Sequence, residues 1–229
     1  MAAYDLEEQE QIAELKAWWK QHGNRVLNVA TVVALVVIAW NVWTWYQRNQ
    51  ASGASMVYSV LQQAVQDKDT QRIKAASGEL IEKFGRTTYA PLGTLISAKV
   101  MVETGDTQTA KAQLAWAAEH AKNELRDLAR LRLATVLIDE KAYDEALKQL
   151  EGAVGSAFDV RFQNTRGDIF SAQGKKVEAL AAYRSALSKM DELEKSDKSA
   201  SASQGWESQS NAIFRELILQ KIDAVDGGQ

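Results

Sequence analysis

The sequence predicts an all-α protein: a single N-terminal transmembrane helix followed by stacked helical pairs. Three observations predict it. Twenty residues from Val26 to Trp45 carry no charge. One Pro and 13 Gly in 229 residues, with abundant Ala, favour helix over sheet and coil. After residue 50 the apolar and small residues recur at helical spacing, and the pattern repeats along the chain.

The bulk properties exclude several classes of function. A formal net charge of −3 argues against a nucleic-acid binder that works by neutralising phosphates. With no Cys there is no disulfide, no thiolate metal site and no lipid-modified cysteine, and the redox compartment is left open. Hydrophobic content of 46% is enough for a real core.

The chain divides into residues 1–25, 26–46 and 47–229. In the first segment Ile12, Leu15 and Trp19 form one apolar stripe with Trp18 beside it, which predicts a short interfacial helix. At about 1.5 Å per residue the uncharged run spans roughly 30 Å, the thickness of a bilayer core. Trp40, Trp43, Trp45 and Tyr46 at its end resemble an aromatic belt at a membrane–water interface. Lys16, Lys20 and Arg25 precede the run, and only Arg48 follows it before Lys68. Cations stay on the cytosolic side, so the expected N-terminus is cytosolic and residues 47–229 lie outside. A cleaved signal peptide is the competing reading. Its apolar region is usually shorter, and a small-residue cleavage site follows it closely. Within the span, Ala30, Ala34, Val37, Asn41 and Thr44 fall within about 40° of one line. Such a stripe of small and hydrogen-bonding residues predicts contact with a partner helix, chance placement being the alternative.

Residues 54–84 read as a divergent helical pair, with Met56, Val60 and Ala64, then Ile73, Leu80, Ile81 and Phe84, and Pro91 opens the next helix. Three self-similar segments follow. They are Ala98, Met101, Gly105, Ala110, Leu114, Ala117; then Ala134, Leu137, Lys141, Ala146, Leu150, Ala153; then Gly167, Phe170, Gly174, Ala179, Tyr183, Ala186. Their starts are 36 and 33 residues apart, the tetratricopeptide period of about 34. A small residue lets the two helices of a pair approach, the turn comes near Gly105, Lys141 and Gly174, and a larger residue fills the gap between pairs. One pair cannot bury its apolar face, so pairs stack into a solenoid. Thr94, Arg130 and Gln163 stand where strong repeats carry a large aromatic, and a generic Ala-rich bundle is the alternative. The polar, Ser-rich residues 189–205 read as a loop or linker. A last helix, Trp206 to Val225, is expected to cap the stack through Ile213, Leu217 and Ile218.

In such solenoids the first helix of each pair lines the concave face. Mapping the offsets gives Lys99, Glu103, Thr135, Asp139, Arg161, Asn164 and Asp168 as candidate protein-binding residues, beside Leu92, Leu95, Leu128, Leu131 and Ile138. A groove with apolar patches and a few charges suits an extended or helical segment of another protein. The chain's own last helix is the other expected occupant. No phosphate loop, dinucleotide fingerprint, metal-spaced His pair or nucleophile motif occurs, and His22 and His120 stand alone, so neither an enzyme nor a cofactor is expected.

The opening YDLEEQEQIAELKAWWKQHGN, the span directly after it, Gly167–Asp168 with AQGKKVEALAAYRSAL, and the closing LILQKIDAV resemble the YfgM family of Gram-negative inner-membrane proteins. These are ancillary subunits of the Sec translocon. The Ser-rich stretch before Trp206 departs from the family pattern. The resemblance implies a single-pass inner-membrane protein with a periplasmic repeat domain acting as a scaffold at the translocon exit. It also implies, as partners, translocon subunits and a membrane-anchored peptidyl-prolyl isomerase-like chaperone. A structural coordinator of another envelope or cell-division complex is the alternative role.

Overall fold

The computed structural model describes the backbone of residues 2–197 and 205–227, and the side chains of 11–195 and 210–227. The chain forms two compact units, Met1–Ser52 and Gly53–Gln229. Among the described residues all regular structure is helical. The first unit is the N-terminal part of α1 (Ala2–Gln66). The expected short interfacial helix is not a separate element, because no break separates Ile12 from the apolar run.

The second unit begins with the end of α1 paired to α2 (Thr70–Phe84). Three further pairs follow: α3 (Tyr89–Glu103) with α4 (Thr107–His120), α5 (Asn123–Asp139) with α6 (Tyr143–Gln149), and α7 (Ser156–Ala172) with α8 (Lys176–Asp197). A last helix, α9 (Gly205–Asp226), packs on α8. Pro91 sits in the first turn of α3, where a missing N–H costs nothing.

The four turns inside the pairs share one geometry. Lys68, Gly105, Lys141 and Gly174 have φ of 54°, 84°, 61° and 73°. At each, the next residue's N–H reaches back to the carbonyl five residues earlier: Asp69 to Ala64, Asp106 to Met101, Ala142 to Leu137 and Lys175 to Phe170, at 2.8–2.9 Å. This left-handed close satisfies the last carbonyls of one helix and starts the next. Asp69 and Asp106 then cap α2 and α4, accepting from the N–H groups of Arg72 and Thr109 at 3.0 and 3.1 Å.

The repeat residues form the core. Ala98, Ala134 and Gly167 are buried, as are Ala110, Ala146 and Ala179 and the gap-fillers Leu114, Leu150 and Tyr183. The face that α1 turns inward is Ala54, Leu61 and Ala64, while Met56 and Val60 are exposed. The expected register there is thus correct only at Ala64.

Three further expectations are corrected. Ala153 is exposed and outside any helix, because α6 stops after two turns and Gly152 takes φ 81°. Residues 189–197 continue α8 rather than forming a linker, held by buried Met190 and by Leu193 in a core shared with α9; the rest of the Ser-rich stretch, 198–204, lies outside the described residues. On α9 the inner face is Phe214, Ile218, Ile222 and Val225. Ile213 is 66% exposed and Leu217 43%, so neither caps the stack.

Candidate functional site

Two surfaces carry the predicted residues. The first is the apolar part of α1, the one helix among the described residues long and apolar enough to cross a membrane. Its side chains are exposed from Val26 through Trp43, including Trp40 and Trp43, and again at Trp45. Ala30, Ala34, Val37 and Asn41 are exposed and Thr44 half-buried. The polar members are satisfied within the helix: the Asn41 amide donates to the Val37 carbonyl at 2.9 Å, and the Thr44 hydroxyl to the Asn41 carbonyl at 3.0 Å. Such back-bonding lets a polar side chain sit in lipid without a partner, yet leaves the Asn41 carbonyl oxygen of its amide able to accept another bond. Because α1 is unbroken, Ile12, Trp19 and Val26 lie nearly in line with Ala30 along it.

The second surface is formed by the first helices of the pairs, α3, α5 and α7. Adjacent first helices pack side by side, and the Arg132 guanidinium of α5 donates to the Leu95 carbonyl of α3 at 3.1 Å. Burial of Arg132 pulls its pKa below the ordinary guanidinium value. Lys99 and Glu103 are exposed and form an i,i+4 ion pair at 3.8 Å. Thr135, Asp139 and Arg161 are exposed too. Leu92, Leu128, Leu131 and Ile138 are half-buried, and Leu95 is buried in the core.

Asn164 and Asp168 differ from the other five. Asn164 is buried, and its amide donates to Asp168 Oδ2 at 3.2 Å. The Tyr183 hydroxyl donates to Asp168 Oδ1 at 2.8 Å. From α9 the Lys221 ammonium donates to Asn164 Oδ1 at 3.1 Å and to both Asp168 oxygens at 2.7 and 2.9 Å. Burial and the neighbouring Asp168 carboxylate push the Tyr183 phenol well above its usual pKa, so it remains a donor. The chain's own last helix therefore occupies Asn164 and Asp168 on α7, while Arg161 and the predicted polar positions of α3 and α5 face solvent.

A further cluster surrounds Asp127, which is 1% exposed. It accepts from the Arg126 guanidinium at 2.9 and 3.0 Å and from the Gly155 N–H at 2.9 Å, with Arg130 at 3.5 Å. Arg130 donates to the carbonyls of Gln149 and Ala153, at 2.8 and 3.2 Å, and to that of Glu151. Arg166 donates to the Leu150 carbonyl at 2.7 Å. Burial holds the Arg130 pKa below its ordinary value, against the opposing pull of Asp127. These cations collect the open carbonyls where α6 ends early, and Arg130 stacks over the Phe162 ring at 5.1 Å. The signal in the sequence was Arg130 itself, a cation at a position that otherwise carries an aromatic.

A family model described as a tetratricopeptide repeat-like domain matches residues 16–204. A Haemophilus influenzae protein named ancillary SecYEG translocon subunit is 32% identical over 84% of this chain and 94% of its own length. Proteins of the same name from Neisseria gonorrhoeae and Escherichia coli are 29% and 28% identical, over 98% and 79% of this chain and 100% and 87% of theirs. Among solved structures, MamA 41-end from Desulfovibrio magneticus RS-1 aligns with a TM-score of 0.48 at 16% identity, covering 77% of this chain and 96% of that one. With an apolar stretch of α1 ahead of repeated helical pairs, and with the family model and these relatives matching most of its length, this chain belongs to the tetratricopeptide repeat-like family that includes proteins named ancillary SecYEG translocon subunits.

Proposed function

We propose that this protein is a membrane-anchored interaction scaffold on the periplasmic side of the Sec translocon, linking the translocon to a periplasmic chaperone network. The observation that carries the reading is the joining of an apolar, lipid-compatible stretch of α1 to a stack of helical pairs, in a chain matched nearly end to end by proteins named ancillary SecYEG translocon subunits. The orientation rests on Lys16, Lys20 and Arg25 before the span against Arg48 after it. The stripe of Ala30, Ala34, Val37, Asn41 and Thr44 serves contact with a translocon helix, where close backbone approach replaces the missing hydrophobic drive. The exposed Lys99, Glu103, Thr135, Asp139 and Arg161 meet a protein segment, with a membrane-anchored peptidyl-prolyl isomerase-like chaperone as the partner the resemblance implies. The role is binding, not catalysis.

Crosslinking in intact membranes, followed by purification through a tag on this chain, tests the reading. Translocon subunits and a single chaperone-like partner are the expected products. Recovery of another envelope complex in their place, with the translocon absent, refutes it.

A further inference from the structure

The last helix is held in a way that the inner helices are not. α9 packs on α8 and reaches α7 through side chains. Among its described side chains only Ile218 is fully buried, while Phe214, Ile222 and Val225 are half-buried. Its other ties are ionic and near the surface. Arg215 pairs with Asp191 at 2.6 Å and Glu194 at 3.1 Å, and Lys221 with Asp168 at 2.7 Å. A cavity of about 270 Å³ remains beside Lys221, bordered by Ser171, Gly174, Tyr183, Ala224 and Val225. By contrast α5 and α7, the first helices of earlier pairs, contribute Ala129, Leu133, Ala134, Leu137, Phe162 and Ile169 to the main core. The core that holds α9 is a separate cluster.

We propose that α9 is an exchangeable occupant of the groove on the α7–α8 pair, and that the groove accepts in its place an amphipathic helix of another protein. That helix presents an ammonium group to Asn164 and Asp168, with apolar side chains at the spacing of Phe214, Ile218 and Ile222. The inference rests on the reading of this chain as an interaction module, and it names the surface and the chemistry of the partner. The polar floor is built for a cation: Asp168 accepts from Tyr183, Asn164 and Lys221, and Asn164 offers its carbonyl to the same ammonium. The Arg215 pairs lie largely exposed and contribute little to holding a helix in place, so one buried isoleucine, three half-buried apolar side chains and the part-buried Lys221 contact make a releasable seat. A second copy of this chain is disfavoured as the occupant, because swapping identical helices makes no contact that each chain does not already make with its own α9 and costs the entropy of association.

The test uses the full chain in detergent or nanodiscs and a fluorescein-labelled peptide of residues 205–226. In the Lys221→Glu variant, amide exchange over 210–226 is expected to speed up at least tenfold, with exchange in α5 and α7 unchanged. The peptide should bind this variant at least tenfold more tightly than the unaltered chain, and a peptide carrying the same substitution should not bind. Ile218→Asp reaches the same open state through the apolar anchor, and should give the same two results. Raising the salt from about 0.1 M to 1 M, which shortens the screening length from about 10 Å to 3 Å, should speed exchange of α9 alone in the unaltered chain. Unchanged exchange of α9 in both variants makes it a permanent cap and overturns the proposal. So does release of α9 without peptide binding, or unfolding of α7 and α8 together with it. Light scattering that shows a dimer of the unaltered chain, dissociated by Lys221→Glu, assigns the groove to a second copy and overturns it as well. None of these results depends on the translocon, so loss of that association in crosslinking leaves the exchange and peptide measurements standing.

Discussion

Gly167 shows how a single atom sets the spacing of a helical pair. A Cβ added there would overlap the Tyr183 ring, which is buried and pinned by its hydroxyl bond to Asp168. Gly167→Ala gains about 1 kcal/mol of helix propensity but forces an overpacked contact costing about 1–3 kcal/mol. The ring cannot swing away without breaking its bond to Asp168, so the clash dominates. A lower unfolding midpoint by circular dichroism is expected, and an unchanged or raised one refutes the argument. Asp127 is the second decisive residue. Asp127→Ala removes the acceptor of the Gly155 N–H and the counter-charge of Arg130, which is nearly buried, and of Arg126, which reaches solvent. Losing that buried acceptor, with solvent replacing part of the charge contact, costs about 1–3 kcal/mol. Denaturant titration should show that loss, with the transition slope unchanged.

At the scale of elements, the helix starts carry a pH dependence. Asp106 caps α4 and pairs with Lys74, and hydrogen bonds from Lys74 and Thr109 lower its pKa to about 2 from the ordinary 3.8. The folded value lies below the unfolded one, so the stabilisation is complete above pH 3.8 and is lost as pH falls toward 2. In Asp106→Asn this component should vanish, so the stability difference from the unaltered chain narrows as acid is added across that window. Parallel acid titrations followed by circular dichroism check it; a constant difference refutes it. The membrane helix is an element whose outward face is the question. Ala34→Leu with Asn41→Leu fills the small stripe and removes its amide, whose bond to a neighbouring helix is worth about 0.6–2 kcal/mol in a bilayer. Co-purification of the membrane partner should fall several-fold, and unchanged capture removes the stripe from the interface.

At the scale of the whole molecule, the proposed side of the membrane for the repeats rests on one imbalance of charge. Three cations precede the span and Arg48 alone follows it before Lys68. Reporter fusions at Ala202 should be active only for an enzyme that works outside the cytosol. A cytosolic signal there refutes the orientation. The repeats supply the rest of the design. Four pairs closed by the same left-handed turn stack on their neighbours, and the predicted polar residues of α3 and α5 are exposed while α9 covers Asn164 and Asp168 of α7.

The sequence by itself determined the features that are local or periodic. An uncharged run reads as a spanning helix because the bilayer imposes a length. Gly105, Lys141 and Gly174 mark the turns because the backbone must enter the left-handed region at a fixed distance from each small core residue. Ala98, Ala134 and Gly167 declare close packing because little else fits there. Lys68, which closes the first pair in the same way, was hidden because the divergent first pair lacks the repeat register that located Lys141. Only the tertiary structure decided what depends on partners far along the chain. α9 carries Ile213, Phe214, Leu217, Ile218, Leu219, Ile222 and Val225, apolar on more than one side, so periodicity did not say which face turns inward. α8 settled that, and so turned Phe214 and Ile218 inward and left Ile213 and Leu217 in solvent. α6 ends early because Arg130, 19 residues before Gln149, accepts the task of holding its open carbonyls. Asp168 and Lys221 lie 53 residues apart, and only the folding of α9 onto α8 brings that charge pair together.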